Sequence, residues 1–359
     1  MKKNIILIAP VWVLVFLISG CSLRPLTWVP QDAPSFTNEL ELNERLQSAE
    51  SIDLAGYFGA EEITTDSKGN IYCGAHVGPA DFSSGAIIQL SSEGKSSVYM
   101  ETDAWVTGMA FDEQDDLYAL INGLGLIRIH PDKSIDTLLT QTPDGKPILM
   151  GTGLKLSSDG KVYFANMSGQ GQSSSKYFNK LILEMRPTGG LYAYDIKSGS
   201  TEVLSEGNYF ANGLELSPNE DYLLLTETSR YRILRYWLKG DQKGQSEVFM
   251  DNLPGFPNNI LLRDNGHYWL GFTTKRSQSL DDIHPKEGMK KFVYSLPAFL
   301  QPKAEPFGMV LEIDKEGNII DALFDPEGRV VKEAGAVLEH EGALYLGGDA
   351  VSYISKVSL

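Results

Sequence analysis

The chain has 359 residues, a formal net charge of −16, and 10% aromatic and 22% charged residues. Those values describe an acidic globular protein, long enough for one large domain or two ordinary ones. With no basic patch, nucleic acid is excluded as the expected partner.

Met1 to Gly20 begins with Lys2 and Lys3 and continues as an apolar run broken by Pro10, ending Leu17-Ile18-Ser19-Gly20 before Cys21. A charged start, a short apolar region and small residues before a cut describe a secretory signal over residues 1–20. Its removal takes the net charge from −16 to −18. The Ile-Ser-Gly-Cys ending resembles a bacterial lipobox, which implies cleavage before Cys21 and a diacylglyceryl group on it. The protein is then expected to be exported and held on a bacterial membrane by that lipid. Ser22 is not aspartate, which in a Gram-negative cell favours the outer membrane, periplasmic side. The other reading is an uncleaved anchor helix, and both put the globular part outside the cytoplasm. With Cys21 lipidated, Cys73 stands alone on the apolar run Ile71-Tyr72-Cys73, so no intrachain disulfide forms. Cys73 reads as a small core residue. Residues 21–50, with Pro25, Pro30 and Pro34 followed by a polar stretch, read as a lipidated tether with a short helix within Asn43 to Glu50.

From residue 51 onward the chain repeats. In FANGLELSPNEDYLLLTETSRYRILRYWLKG (Phe210 to Gly240), apolar runs flank a Ser-Pro-Asn-Glu turn. Alternating β-branched, aromatic and leucine residues around such a turn read as antiparallel strands. Six strand-turn-strand units align by their turns: Glu61–Tyr72, Thr107–Tyr118, Thr152–Tyr163, Asn212–Leu223, Asn258–Trp269 and Ala334–Tyr345. They start 46, 45, 60, 46 and 76 residues apart, with second hairpins between them and insertions near 167–187 and 273–307. Four short strands at this period predict an all-β fold, a six-bladed β-propeller over 51–359. After the sixth unit only Ser352 to Leu359 remains, so Ser51 to Leu54 is expected to complete the last blade and close the ring without a free edge.

Innermost strands surround the axis, so equivalent positions converge. The position that opens each unit is Glu61, Thr107, Thr152, Asn212, Asn258 and Ala334. The next layer contains four glycines, and the one after is apolar: Ile63, Met109, Leu154, Leu214, Ile260 and Ala336. A polar mouth over an apolar floor suits a small-molecule pocket. The alternative is that these Asn and Thr side chains only tie strand ends together. Glu61 argues against it, since a carboxylate near a narrow axis needs a cation or a donor.

This constellation, with FPNNI, VLEHEGALYLGG and DPEGRVV, resembles the strictosidine synthase-like family, in particular its adipocyte plasma-membrane-associated group. It lies within the superfamily of gluconolactonases, senescence marker protein, diisopropylfluorophosphatase and serum paraoxonase. The resemblance implies a six-bladed propeller with axial calcium and, in many members, lactone or ester hydrolysis. It carries the calcium glutamate onto Glu61, an asparagine onto Asn212, an aspartate–asparagine pair onto Asn258 and Asn259, and another asparagine onto Thr152. One carboxylate has thus become an amide and one amide a hydroxyl. Calcium affinity follows ligand charge and number, so a lone carboxylate is expected to bind weakly or to need a substrate oxygen. The glutamate that strictosidine synthases use for condensation falls on Ala336, and alanine transfers no proton.

The expected function is a metal-dependent lactone or ester hydrolase with a small-molecule pocket at the axis. The alternative is a non-catalytic propeller that binds a small ligand or an envelope partner. Thr107 and Thr152 are expected pocket residues. His76, in Gly74-Ala75-His76-Val77-Gly78, serves as a base if it reaches the mouth. Glu227 is expected to pair with Arg230 or Arg232. No serine sits in a Gly-x-Ser-x-Gly elbow, so no Ser-His-Asp triad is assigned. Within the second insertion, Glu287 to Leu296 patterns as a helix with Met289, Phe292, Val293 and Leu296 on one face and Lys286, Lys290 and Lys291 opposite. It packs over a blade edge, or forms a lid or membrane-facing surface.

Overall fold

The computed structural model describes residues 23–359 except 80, 92, 93 and 172, so the expected signal segment and lipidation site Cys21 lie outside the described residues. Each aligned unit folds as a hairpin whose turn closes through a left-handed residue: Gly69, Asp115, Gly160, Glu220, Gly266 and Gly342. Four are glycines, which adopt that conformation without a Cβ clash. The two carboxylates are held by a neighbouring blade. Asp115 accepts from Ser67 and Glu220 from Ser158, each through backbone N–H and side-chain hydroxyl.

Six four-stranded antiparallel sheets result. The first contains β2 (Ile63–Thr65), β3 (Ile71–Gly78), β4 (Asp81–Leu90) and β5 (Ser96–Thr102). The second contains β6 (Val106–Phe111), β7 (Leu117–Ile121), β8 (Gly125–Ile129) and β9 (Ile135–Leu139). The third contains β10 (Gly151–Leu156), β11 (Lys161–Asn166), β12 (Gly189–Asp195) and β13 (Thr201–Asn208). The fourth contains β14 (Ala211–Leu216), β15 (Tyr222–Glu227), β16 (Arg232–Trp237) and β17 (Ser246–Met250). The fifth contains β18 (Gly255–Leu262), β19 (Tyr268–Lys275), β20 (Gly308–Ile313) and β21 (Ile319–Asp325). The sixth contains β22 (Ala336–His340), β23 (Ala343–Gly347) and β24 (Tyr353–Ser358), with β1 (Glu50–Asp53) antiparallel to β24 in the register Ser51↔Ser355 and Ile52↔Ile354. The protein is a six-bladed β-propeller.

Blades pack face to face through the apolar half of each alternation: Leu214, Leu223 and Leu225 of the fourth meet Tyr163 and Ala165 of the third. A 3-10 turn over Arg45–Ser48 buries Leu46 between the fifth and sixth blades. Cys73 is buried, and burial pushes its thiol up to about 12, the inert state of a core cysteine.

Both insertions join the second strand of a blade to its third. Helix α1 (Ser175–Glu184) follows β11, while α2 (Gln278–Ile283) and α3 (Glu287–Ser295) follow β19. In an antiparallel hairpin the C-terminal end of the second strand lies beside the N-terminal end of the first. The insertions therefore stand at the same end of the propeller as Glu61, Asn212 and Asn258.

The expected orientation of α3 is corrected. The helix buries Lys290 and Tyr294, half-buries Val293 and leaves Met289 and Phe292 exposed. The cause is the segment that precedes the propeller. Leu23 packs against Leu183 and Tyr294, and the carbonyl of Leu26 accepts from Lys290 Nζ at 2.8 Å. Trp28 and Leu26 bond the backbone of His284 and Glu184, so residues 23–28 run as a strap across the helices.

Candidate functional site

A cavity of about 730 Å³ lies at the insertion end of the axis. Its floor is polar: Glu61, Asn212, Thr228, Asn258, Thr273 and Asp349. Much of its wall is apolar, from Phe178, Ile182 and Leu183 of α1, Leu280 and Ile283 of α2, Val293 of α3, and Phe210 and Phe256 from the blades, while Lys275, Arg276, Gln301, Lys303 and Glu305 add polar and charged surface. The sequence pattern placed the apolar layer beneath the mouth, but Ile63, Met109, Leu154, Leu214, Ile260 and Ala336 sit in the core and line no part of the cavity. The inserted helices supply the apolar surface from above.

The structure brings together Glu61, Asn212 and Asn258 of the residues singled out, and distributes the rest around them. Thr152 Oγ1 donates to Asn212 Oδ1 at 3.1 Å, and Asn212 Nδ2 donates to Thr228 Oγ1 at 3.1 Å. Thr228 in turn donates to the Pro257 carbonyl at 2.8 Å, so the Asn212 amide is fixed in a chain that links three blades. Thr107 is buried on Asn122 and the Gly151 carbonyl. Asn259 points away from the cavity, with Nδ2 donating to the Glu61 carbonyl at 2.5 Å and to Glu62 Oε2 at 3.5 Å. His76 is fully buried against Phe82 and Trp105, its Nε2 bonded to the Asp349 carbonyl at 3.0 Å. Glu227 pairs with Arg232 at 2.5 Å. Close backbone approach is built in at Gly213, where a Cβ would come within 2.2 Å of the Asn258 carbonyl.

Electrostatically the floor is one-sided. Glu61 is 1% exposed, and its carboxyl is held well above the usual range by burial first, then by the carboxylates of Asp349, Glu333 and Glu62. The expected lone carboxylate is thus corrected: Asp349 reaches hydrogen-bonding range of Glu61. Glu333 is pushed up to about 8 by burial and by Asp349. Glu62 faces a deeper layer and is pushed up to about 7, burial and Glu215 outweighing Lys155. Among the described residues, Glu61, Glu333 and Asp349 take part in no ion pair with lysine, arginine or histidine.

Sequence alignment overlooked Asp349 and Glu333. The signal was present: four residues past the end of each aligned unit stand His76, Asn122, Met167, Glu227, Thr273 and Asp349, mostly polar. Those are the second-strand ends, which the hairpin sets beside the first ring.

The donor set fits a hard cation. Glu61 Oε2, Asn258 Oδ1 and Asp349 Oδ1 are buried oxygens without a hydrogen-bond partner among the described residues, the condition that calcium relieves with oxygen ligands. Among the described residues no three His, Cys, Asp or Glu side chains converge as a preformed cage, so amide oxygens have to take part.

The strictosidine synthase family pattern matches residues 153–241, and the strictosidine synthase-like N-terminal pattern matches 39–79. Adipocyte plasma membrane-associated protein of Bos taurus is 30% identical over 96% of this chain and 86% of its own. Protein strictosidine synthase-like 13 of Arabidopsis thaliana is 31% identical over 61% of this chain and 55% of its own. Among solved structures, a gluconolactonase of Xanthomonas campestris superposes with a TM-score of 0.60 at 16% identity, covering 94% of this chain and 98% of that one. A calcium-binding protein, regucalcin, of Agrobacterium tumefaciens superposes with a TM-score of 0.59 at 13% identity, covering 86% and 93%. At such identities the superpositions speak for the fold.

Proposed function

The chain belongs to the strictosidine synthase-like family that includes adipocyte plasma membrane-associated protein, and from that premise we propose that it is a calcium-dependent hydrolase of apolar lactones or esters. The observation that carries this reading is the set of buried oxygens without a partner among the described residues, Glu61 Oε2, Asn258 Oδ1 and Asp349 Oδ1, on the floor of a chamber with a large apolar wall. Glu61, Asn212 and Asn258 would hold the ion. Calcium bound there supplies positive charge that polarises a carbonyl and activates water. The chain's own residues do the rest. Phe178, Ile182, Phe210 and Leu280 exclude water and receive the apolar part of the substrate. The Thr152–Asn212–Thr228 relay keeps the Asn212 oxygen at one position. Condensation of the strictosidine synthase type is absent from this reading, because Ala336 is buried in blade six without a proton to give.

The test is purified protein against a lactone and aryl-ester panel, with calcium and with chelator. Calcium-dependent turnover that disappears in Glu61→Gln is expected. Turnover indifferent to both chelator and Glu61→Gln, or none at all, overturns it. In the second case the propeller is a non-catalytic binder of a small ligand or envelope partner, a reading favoured by the lack of a preformed cage among the described residues. We further propose that Cys21 carries the lipid that holds the protein on a bacterial membrane. Labelled palmitate should enter the wild type and not Cys21→Ser, and equal labelling rejects the anchor.

A further inference from the structure

Asp349 sits in the loop after β23, which the fold presses onto the axis from several sides. His76 Nε2 bonds the Asp349 carbonyl at 3.0 Å, and Gly59 N bonds the Val351 carbonyl at 2.9 Å. From the other side Glu333 Oε2 accepts from Ala350 N at 3.2 Å. Gly348 lies so close beneath that a Cβ there would come within 2.5 Å of Glu333 Cγ. The loop is held at four consecutive residues, and although Asp349 as a whole is half-buried, its Oδ1 is a buried atom without a hydrogen-bond partner among the described residues. The side chain points at Glu61, and both line the cavity floor.

Two carboxylates in one buried site share a proton or bind a cation, since like charges at that distance cannot both stand uncompensated. Asn258 provides an independent sign of which. It is 1% exposed, it lines the same floor, and its Oδ1 has no donor among the described residues. A shared proton satisfies two carboxyl oxygens and leaves that amide oxygen bare, whereas a cation takes all three.

We propose that Asp349 is a cation ligand at the axis together with Glu61 and the Asn258 oxygen, and that Glu333 is the positioning residue that holds its loop down. The all-oxygen donor set, with no cysteine or histidine among the described residues that line the site, selects a hard divalent ion of the calcium class. This deepens the cation site of the preceding reading and does not depend on whether the site hydrolyses anything.

Calcium titration of chelator-stripped protein by calorimetry, with thermal unfolding in parallel, tests it. Wild type should bind calcium, and Asp349→Asn should weaken binding by at least about tenfold, as loss of ligand charge does. Glu333→Ala should weaken it by about tenfold through the loop, and Glu333→Gln, whose amide oxygen can still accept from Ala350 N, should recover most of that loss. Asp349→Glu, which keeps the charge, should recover part of the affinity. Metal-free Asp349→Asn should unfold no lower than metal-free wild type, because it removes a charge without a counter-ion, and this separates lost binding from misfolding. Calcium binding by Asp349→Asn equal to wild type, or a wild type indifferent to millimolar calcium, overturns the proposal. Binding that requires Asp349 without any ester or lactone turnover supports it and ends the hydrolase reading alone.

Discussion

Lys290 shows how one side chain can be displaced from the role its spacing suggests. It sits on the polar stripe of α3, yet it is buried and donates to the Leu26 carbonyl. Burial lowers its pKa from 10.5 to about 8, outweighing the attraction of Glu287. The sign follows from proton binding: between pH 8 and 10.5 the unfolded chain binds more protons than the folded one, so this group's contribution rises with pH across that window. Below pH 8 both states are protonated and the cost of burying the charge is fully present. Lys290→Met should therefore gain stability relative to wild type at pH 7 to 8, and the gain should shrink by pH 10. Urea unfolding of both proteins at the two pH values measures it, and a gap that does not change with pH removes Lys290 as the cause.

At the scale of elements, α1, α2 and α3 turn an open axial mouth into a chamber. Val293 faces the cavity while Phe292, on the outer side of the same helix, is 56% exposed and Phe299 beyond it 78% exposed. Outward side chains with few contacts contribute little to folding. The pair Phe292→Ser and Phe299→Ser should shift stability by less than about 0.5 kcal/mol. By contrast, Tyr294→Ala removes a ring packed on Leu23 and Leu183 and should cost about 3 kcal/mol, in the range for buried aromatics. Equal costs in chemical denaturation would mean that α3 is turned the other way.

The whole molecule depends on ring closure. β1 supplies the fourth strand of the last blade, and Leu46 just before it fills the seam between blades five and six. A chain starting at residue 55 leaves β24 as an open edge, which invites pairing between molecules. It should form higher oligomers in size-exclusion chromatography and melt below a chain starting at residue 35, which lacks the strap but keeps both of these contacts and should elute at the size of the full protein. Identical behaviour of the two truncations would show that the closing strand adds nothing.

What the linear order of residues determined was the part governed by local rules. Turn residues at a fixed period and strands alternating every second residue specify six blades, because each hairpin obeys its own neighbours. Glu61, Asn212 and Asn258 were legible for the same reason: the repeat puts equivalent positions on one axis. Asp349 and Glu333 escaped, since they meet Glu61 only after the sixth blade closes onto the first and the second-strand ends come alongside the first ring. The facing of α3 escaped too, because Lys290 is buried by a strap more than 250 residues earlier in the chain, and helical periodicity reports only what is polar, not what arrives to cover it. The chamber itself belongs to tertiary structure alone: its floor comes from several blades and its roof from two insertions, and no stretch of sequence contains both.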